Sequence, residues 1–304
     1  MNLIEKMSTD LKLDLSYVSR IADRASFYYR DYTIPKRNGQ LRHISQPSPE
    51  LKTLQYWILH NIIVKLPVSQ FACAYKKGDS IKKHAQIHQN SQFILHADIR
   101  NFFPSITPDL LEPILRENKN IFDDLGLNLE DSIRDINNIC FRRKGLAIGA
   151  VSSPAISNSV MYEFDISLSE LCNKKNYIYS RYADDIYISS KSFIDKSMID
   201  TLEKELTKFG FTLNSNKTNF SSRKYQRRIT GIIITDNSQI SIGIQRRNLI
   251  KKAIYDKLIH GKGDPNQILG YLSFLKDIEP KTYNNLIIKY SRYCNGDLLE
   301  AIKK

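Results

Sequence analysis

The chain has 304 residues, 41% of them hydrophobic, with 45 lysines and arginines against 32 acidic residues and a formal net charge of +13. That apolar share excludes a disordered chain and suffices for one large unit or two to three packed subdomains. The one-sided charge favours a polyanionic partner, nucleic acid first.

Residues 1–30 are predicted to be helical, with Ser8, Thr9 and Asp10 as a polar start and Leu11, Leu13, Leu15, Val18 and Ile21 behind it. Strand runs at 32–35 and 41–45 flank Arg37-Asn38-Gly39, and Asn-Gly between strands is a strong hairpin signal. A helix follows from Pro49, with Leu51, Leu54, Trp57, Ile58 and Ile62 at helical spacing. Residues 92–106, QFILHADIRNFFPSI, are expected to form a strand that breaks at Pro104, and 107–140 to be helical and polar. A glycine- and serine-rich turn from Lys144 leads into a long helix, and then NYIYSRYADDIYISS, 176–190, reads as a strand. Next come a helix stopped at Gly210, a β-hairpin over 227–243 with its turn at Asp236-Asn237, and a basic helical region from Gln245 onward.

Cys73, Cys140, Cys172 and Cys294 are widely spaced and form no CxxC or Cys/His cluster, so reduced core thiols are expected. The N-terminus lacks a signal-peptide core, and no apolar run approaches the ~20 residues of a membrane span. A soluble, cytoplasmic protein with no membrane partner is the expectation.

Asp184 and Asp185 stand inside an otherwise apolar strand run. Neighbouring strand side chains point to opposite faces, and a buried charge is costly unless paired or metal-bound. Asp98 is a second strand-borne carboxylate, preceded by Ile94 and Leu95. Three aspartates on neighbouring strands would make a cage of hard oxygen ligands suited to Mg²⁺. Two such ions about 3.5–4 Å apart clamp the attacking and leaving oxygens in phosphoryl transfer. The other Asp-Asp pair, Asp123-Asp124, is expected at an exposed helix end or loop.

YADD between apolar strand halves resembles the YxDD signature of reverse transcriptases, and further blocks of that family follow in order. Asp98 with NFFPSI resembles the first palm block, GLAIGAVSSPAISN (145–158) the block supporting template and nucleotide, and GFTLNSNKT (210–218) the next. IPKRNGQLRHISQP resembles the fingers hairpin, and RRITGIIIT the strands leading to the thumb. Within the family the likeness is to bacterial retron enzymes: SIKKHAQIH, with Ala85 and His88, resembles their NAxxH element, and Ile229-Thr230-Gly231 their VTG triplet. Two positions depart from the pattern: Ile148 stands where many relatives carry glutamine, and His84 where the retron pattern has asparagine.

The resemblance implies an α+β right-hand polymerase fold with an antiparallel palm sheet and a helical thumb. An N-terminal helical segment (1–30) precedes fingers at 31–91 with part of 107–145. The palm is expected at 92–235 and an RNA-binding thumb at 236–304. It implies Asp98, Asp184 and Asp185 as catalytic ligands of two Mg²⁺ ions, with Mn²⁺ able to substitute. Lys217 is implied as the acid for the pyrophosphate leaving group. Lys36 and Arg42 are implied at the triphosphate, Phe103 at the sugar 2′ position and Gly149 at the nucleotide. His88, Thr230, Arg246, Arg247 and Lys251 are implied as RNA contacts. The implied activity copies part of a cognate structured RNA into RNA-linked single-stranded DNA from dNTPs, primed by a guanosine 2′-hydroxyl. The implied setting is a bacterial antiphage system with a separate effector protein. Alternatives are a group II intron-like or other bacterial reverse transcriptase, or a non-catalytic RNA-binding scaffold.

Overall fold

The computed structural model describes residues 1–36, 39–294 and 296–303. Two helices open the chain, α1 (Leu3–Leu11) and α2 (Leu15–Asp23). The first starts well before Ser8, because Asn2 and Glu5 form a reciprocal capping box. Lys12, with φ +55, ends it, and the Asp14 side chain caps the second. The hairpin follows as β1 (Tyr29–Pro35) and β2 (Leu41–Pro47), paired from Tyr29 opposite Pro47 to Pro35 opposite Leu41. Arg37 and Asn38 of its expected turn lie outside the described residues.

Helices α3 (Pro49–Asn61), capped by Ser48, and α4 (Ile81–Ile87) lead into β3 (Phe93–Asp98). This strand stops at Asp98, short of Pro104, because the chain turns through Asn101 (φ +49) into α5 (Phe102–Ser105). The polar region resolves into α6 (Pro108–Glu117), α7 (Asn120–Asp124) and α8 (Leu129–Cys140), with Asp123 and Asp124 exposed at the end of α7. A small hairpin, β4 (Phe141–Arg142) and β5 (Gly145–Leu146), precedes α9 (Ser153–Val160) and α10 (Tyr162–Asn173), a pair in place of one long helix.

The YADD run is likewise two elements, β6 (Ile178–Tyr182) and β7 (Asp185–Ser190), closed by a tight turn at Ala183-Asp184 with Tyr182 opposite Asp185. After α11 (Ser197–Lys208) come β8 (Asn219–Ser222), β9 (Arg227–Ile229), β10 (Ile232–Ile234) and β11 (Ile240–Ser241). The last three form a sheet of their own, so the expected hairpin carries an additional turn at Thr230-Gly231, both with positive φ. Helices α12 (Ile244–His260), α13 (Pro265–Ile278), α14 (Pro280–Ser291) and α15 (Leu298–Lys303) complete the chain. Among the described residues no helix is long and apolar enough to cross a membrane.

The central sheet has the order β6-β7-β3-β8, antiparallel throughout. Its two faces follow the period of two. Leu95, Ala97, Ile186 and Ile188 enter a large core shared with α1–α3 and α6–α11. Ile94 and Tyr187, on the opposite face, enter a second core built with β9–β11 and α12–α15. Continuing along that second face of β3, the residues after Ile94 are His96 and Asp98. The sheet therefore runs from apolar packing into a carboxylate cluster along one line of side chains.

Candidate active site

Asp98 closes β3 and faces Asp185, the first residue of β7, as a register pair. The Ile99 N–H donates to the Asp184 carbonyl at 3.0 Å, tying the end of β3 to the turn. Asp184 itself occupies that turn, so the three aspartates come from two strands and the loop joining β6 to β7. The turn depends on Ala183 at φ +58, a left-handed conformation uncommon outside glycine. A buried device braces it. Fully buried Arg181 forms a two-pronged ion pair with fully buried Asp165, with Nε to Oδ1 at 2.8 Å and an Nη to Oδ2 at 2.7 Å. Its other Nη donates to the Ala183 carbonyl at 3.0 Å, and the Tyr179 hydroxyl donates to Asp165 at 2.6 Å.

Each carboxylate has a different environment. Asp98 is only 4% exposed and accepts from the Asn214 amide at 2.7 Å and from the Lys217 ammonium at 2.6 Å. Asp185 bonds His96 Nε2 at 2.7 Å, and the His96 ring stacks on Tyr187 with centroids 4.7 Å apart. Asp184 has its pKa pushed up to about 6, first by burial and then by the charges of Asp185 and Asp98, with Lys217 opposing.

Among the described residues no three His, Cys, Asp or Glu side chains stand as a ready ligand set, and Asp98 is engaged by Asn214 and Lys217. The donor chemistry nevertheless fits a hard divalent cation. The groups are carboxylate oxygens, and their crowding penalises the charge on Asp184 in the way a cation would relieve.

Phe103 follows on α5, half-buried, with ring neighbours Phe102 at 5.4 Å and Tyr75 at 6.4 Å. Gly149 has φ +118, and a Cβ there would lie 3.0 Å from the Ser45 carbonyl oxygen of β2. The Ser45 N–H donates to the Ile148 carbonyl at 2.8 Å. The β1–β2 hairpin thus docks on this loop through backbone, a contact indifferent to isoleucine standing in place of glutamine. Lys36 and Arg42 are exposed on that hairpin.

His88 departs from its expected role as an RNA contact. It is fully buried, bonded to Ser189 at 2.7 Å and to Ser180 at 2.6 Å, and burial holds its pKa down to about 3. His84, also buried, bonds the same Ser180 hydroxyl at 2.7 Å and Thr230 Oγ1 at 3.3 Å, with its pKa lowered to about 4. A hydroxyl bonded to two imidazoles donates to one and accepts from the other. The Thr230 N–H donates to the Tyr187 hydroxyl at 3.1 Å. Thr230 and the two histidines therefore knit α4 and the Thr230-Gly231 turn to β6 and β7. Arg247, 34% exposed at its side chain, also bonds Ser241 Oγ at 2.8 Å and pairs with Glu279 at 3.2 Å. Arg246 and Lys251 remain exposed, Arg246 lying over the Phe274 ring at 5.5 Å.

His96, Asn214, Arg181 and Tyr75 are neighbours of the site that sequence reasoning did not single out. His96 carried a usable signal, since the period of two places it on the face of Asp98. Arg181 carried another, a charge within an apolar strand. Asn214 and Tyr75 reach the site through tertiary contacts alone.

Residues 34–234 match the family described as reverse transcriptase (RNA-dependent DNA polymerase). The chain is 33% identical to the retron Ec83 reverse transcriptase of Escherichia coli, covering 93% of this chain and 92% of that protein. It is 32% identical to the retron Ec86 reverse transcriptase of the same organism, covering 96% and 89%. With the retron Mx162 reverse transcriptase of Myxococcus xanthus the identity is 30%, covering 68% and 47%. Among solved structures, the telomerase of Candida albicans aligns at a TM-score of 0.49 with 11% identity, covering 91% of this chain and 61% of that one. The family match extends from the hairpin through the aspartates to β10, and the mixed helices and antiparallel sheet are those of a right-hand polymerase. The chain belongs to the reverse transcriptases, in their bacterial retron group, and its activity is that of an RNA-directed DNA polymerase.

Proposed function

We propose that the chain copies part of a cognate structured noncoding RNA into RNA-linked single-stranded DNA. Synthesis starts from a guanosine 2′-hydroxyl and consumes dNTPs. The observation that carries this reading is the convergence of Asp98, Asp184 and Asp185 at one edge of the sheet, with Lys217 against Asp98. The attacking hydroxyl oxygen forms a bond to the α-phosphorus of the dNTP, and the bond to pyrophosphate breaks. Two Mg²⁺ ions, replaceable by Mn²⁺, would be held by Asp98 and Asp184 with Asp185 in support, and would supply Lewis-acid stabilisation of both oxygens.

The chain's own residues do the rest. Arg42 and Lys36 grip the triphosphate. Phe103 fills the space a 2′-hydroxyl on the incoming sugar would need. Lys217, bonded to Asp98, gives a proton to departing pyrophosphate. Gly149 keeps the hairpin against the palm. Arg246 and Lys251 contribute positive surface for the RNA backbone. The setting we assign is the bacterial cytoplasm, in an antiphage retron with a separate effector protein.

The test is expression with the native flanking DNA, followed by extraction of nucleic acid. A discrete single-stranded DNA whose mobility shifts on RNase or debranching treatment is expected, and it disappears with Asp184→Asn. Folded protein that extends a primed RNA but yields no branched species would sink the 2′-hydroxyl priming and leave a different kind of reverse transcriptase.

A further inference from the structure

Tyr75 holds a backbone conformation that aromatic residues rarely adopt, with φ +64. The preceding segment is stitched to β6. The Arg181 N–H donates to the Phe71 carbonyl at 2.9 Å, and the Cys73 N–H donates to the Arg181 carbonyl at 2.7 Å. Ala72 makes a parallel bridge to Arg181, and the Asn158 amide donates to the Ala74 carbonyl at 2.8 Å. Four residues are thus fixed, and the fifth absorbs backbone strain, which persists only where the surroundings over-determine it.

The result is a ring placed beside the site. Tyr75 lies 6.4 Å from the Phe103 ring at a tilt of 49°, within the range of a favourable aromatic pair. It remains 49% exposed, so part of the ring faces open space. Burial raises the pKa of its phenol, Asp184 and Tyr182 add to the rise, and Arg181 and Arg42 oppose it. Tyr75 therefore stands beside Phe103, the group assigned to the incoming sugar, and feels the charges of Asp184 and Arg42.

We propose that Tyr75 is a nucleotide-selecting residue. Its ring forms, with Phe103, the wall against which a deoxyribose packs, and it blocks Phe103 from swinging aside when a 2′-hydroxyl presses on it. This rests on the polymerase reading above.

The test is single-nucleotide incorporation on a primed RNA oligonucleotide by the purified chain, comparing kcat/KM for a dNTP and the matching rNTP. Tyr75→Asn removes the ring with a residue that tolerates the left-handed backbone, so the fold is kept. Tyr75→Phe removes the hydroxyl alone. Tyr75→Asn is expected to lower the dNTP-over-rNTP ratio about tenfold, through a raised KM for the dNTP and improved use of the rNTP. Tyr75→Phe should stay within about twofold of the parent, because the ring supplies the wall. If Tyr75→Asn lowers both substrates equally, Tyr75 is a structural residue and the proposal falls. The same holds if the ratio is unchanged while Phe103→Ala collapses it. If the parent chain incorporates neither nucleotide, the polymerase reading fails and takes this proposal with it.

Discussion

Asp98 and Asp185 stand directly opposite one another on paired antiparallel strands, so their carboxylates leave the same face of the sheet. Lys217 reaches this pair from the loop before β8 and bonds Asp98 at 2.6 Å while remaining 54% exposed at its side chain. A lysine so placed supplies both a charge and a transferable proton, and two substitutions separate the roles. Lys217→Gln is expected to lower kcat by about 10²-fold or more with little change in KM, the usual scale of a lost general acid. Lys217→Arg keeps the charge but offers no proton near neutral pH, and should recover less than a tenth of the loss. Full recovery by arginine in rapid-quench kinetics would reduce Lys217 to an electrostatic partner of Asp98.

The Arg181–Asp165 pair is fully buried and also holds the Ala183 carbonyl. Arg181→Leu leaves Asp165 buried without its cation, which is expected to cost about 3–5 kcal/mol. Replacing both with leucine removes the stranded charge and should regain most of that stability, but not activity, because the turn carrying Asp184 loses its brace. Urea unfolding of the single and double variants measures the first part, and primer extension the second. A double variant as active as the parent would show that the turn holds its shape unaided.

Gly149 lies close against β2, where an added Cβ would sit 3.0 Å from the Ser45 oxygen. Gly149→Ala should cost about 1–3 kcal/mol from the positive φ and the contact. Its functional effect is expected in KM for the dNTP, raised severalfold as the hairpin bearing Arg42 shifts, with kcat less affected. An unchanged KM would separate the hairpin from nucleotide binding.

The buried histidines set a pH dependence. Unfolded, both imidazoles protonate near pH 6.5; folded, burial lowers His84 to about 4 and His88 to about 3. Below pH 6.5 the unfolded chain binds more protons than the folded one, so this stabilisation is complete above pH 6.5 and is lost progressively as the pH falls from there toward about 3. Thermal melting from pH 7.5 to 4.5 should show Tm falling through that window. His88→Gln should melt lower at neutral pH but with a shallower slope. Parallel slopes for the two proteins would mean other groups govern the acid sensitivity.

Much of the site was legible because its signals are local. Asp98, Asp184, Asp185 and Lys217 sit in short ordered blocks, and carboxylates within apolar strand runs need a reason to be there. The turn inside YADD was not legible, since Ala183 carries no turn signal and its left-handed conformation is accompanied by an Arg181 bond to its carbonyl that only the fold brings about. The single strand expected over 176–190 was therefore a hairpin. His88 was expected as an RNA contact and is buried instead. Its partners Ser180 and Ser189 belong to strands far along the chain. The pairing of Arg247 was not legible for a related reason, because its Glu279 partner lies on the turn between two later helices.

The central claim is that Asp98, Asp184 and Asp185 form a centre for RNA-templated DNA synthesis. Its most direct test is primer extension on a defined RNA template by the purified chain with Mg²⁺ and dNTPs, beside a folded Asp184→Asn variant. The account predicts DNA product from the parent and a loss of at least about 10³-fold, or 4 kcal/mol, in the variant. Equal extension by both proteins, or none by folded parent protein on any primed RNA, would contradict it.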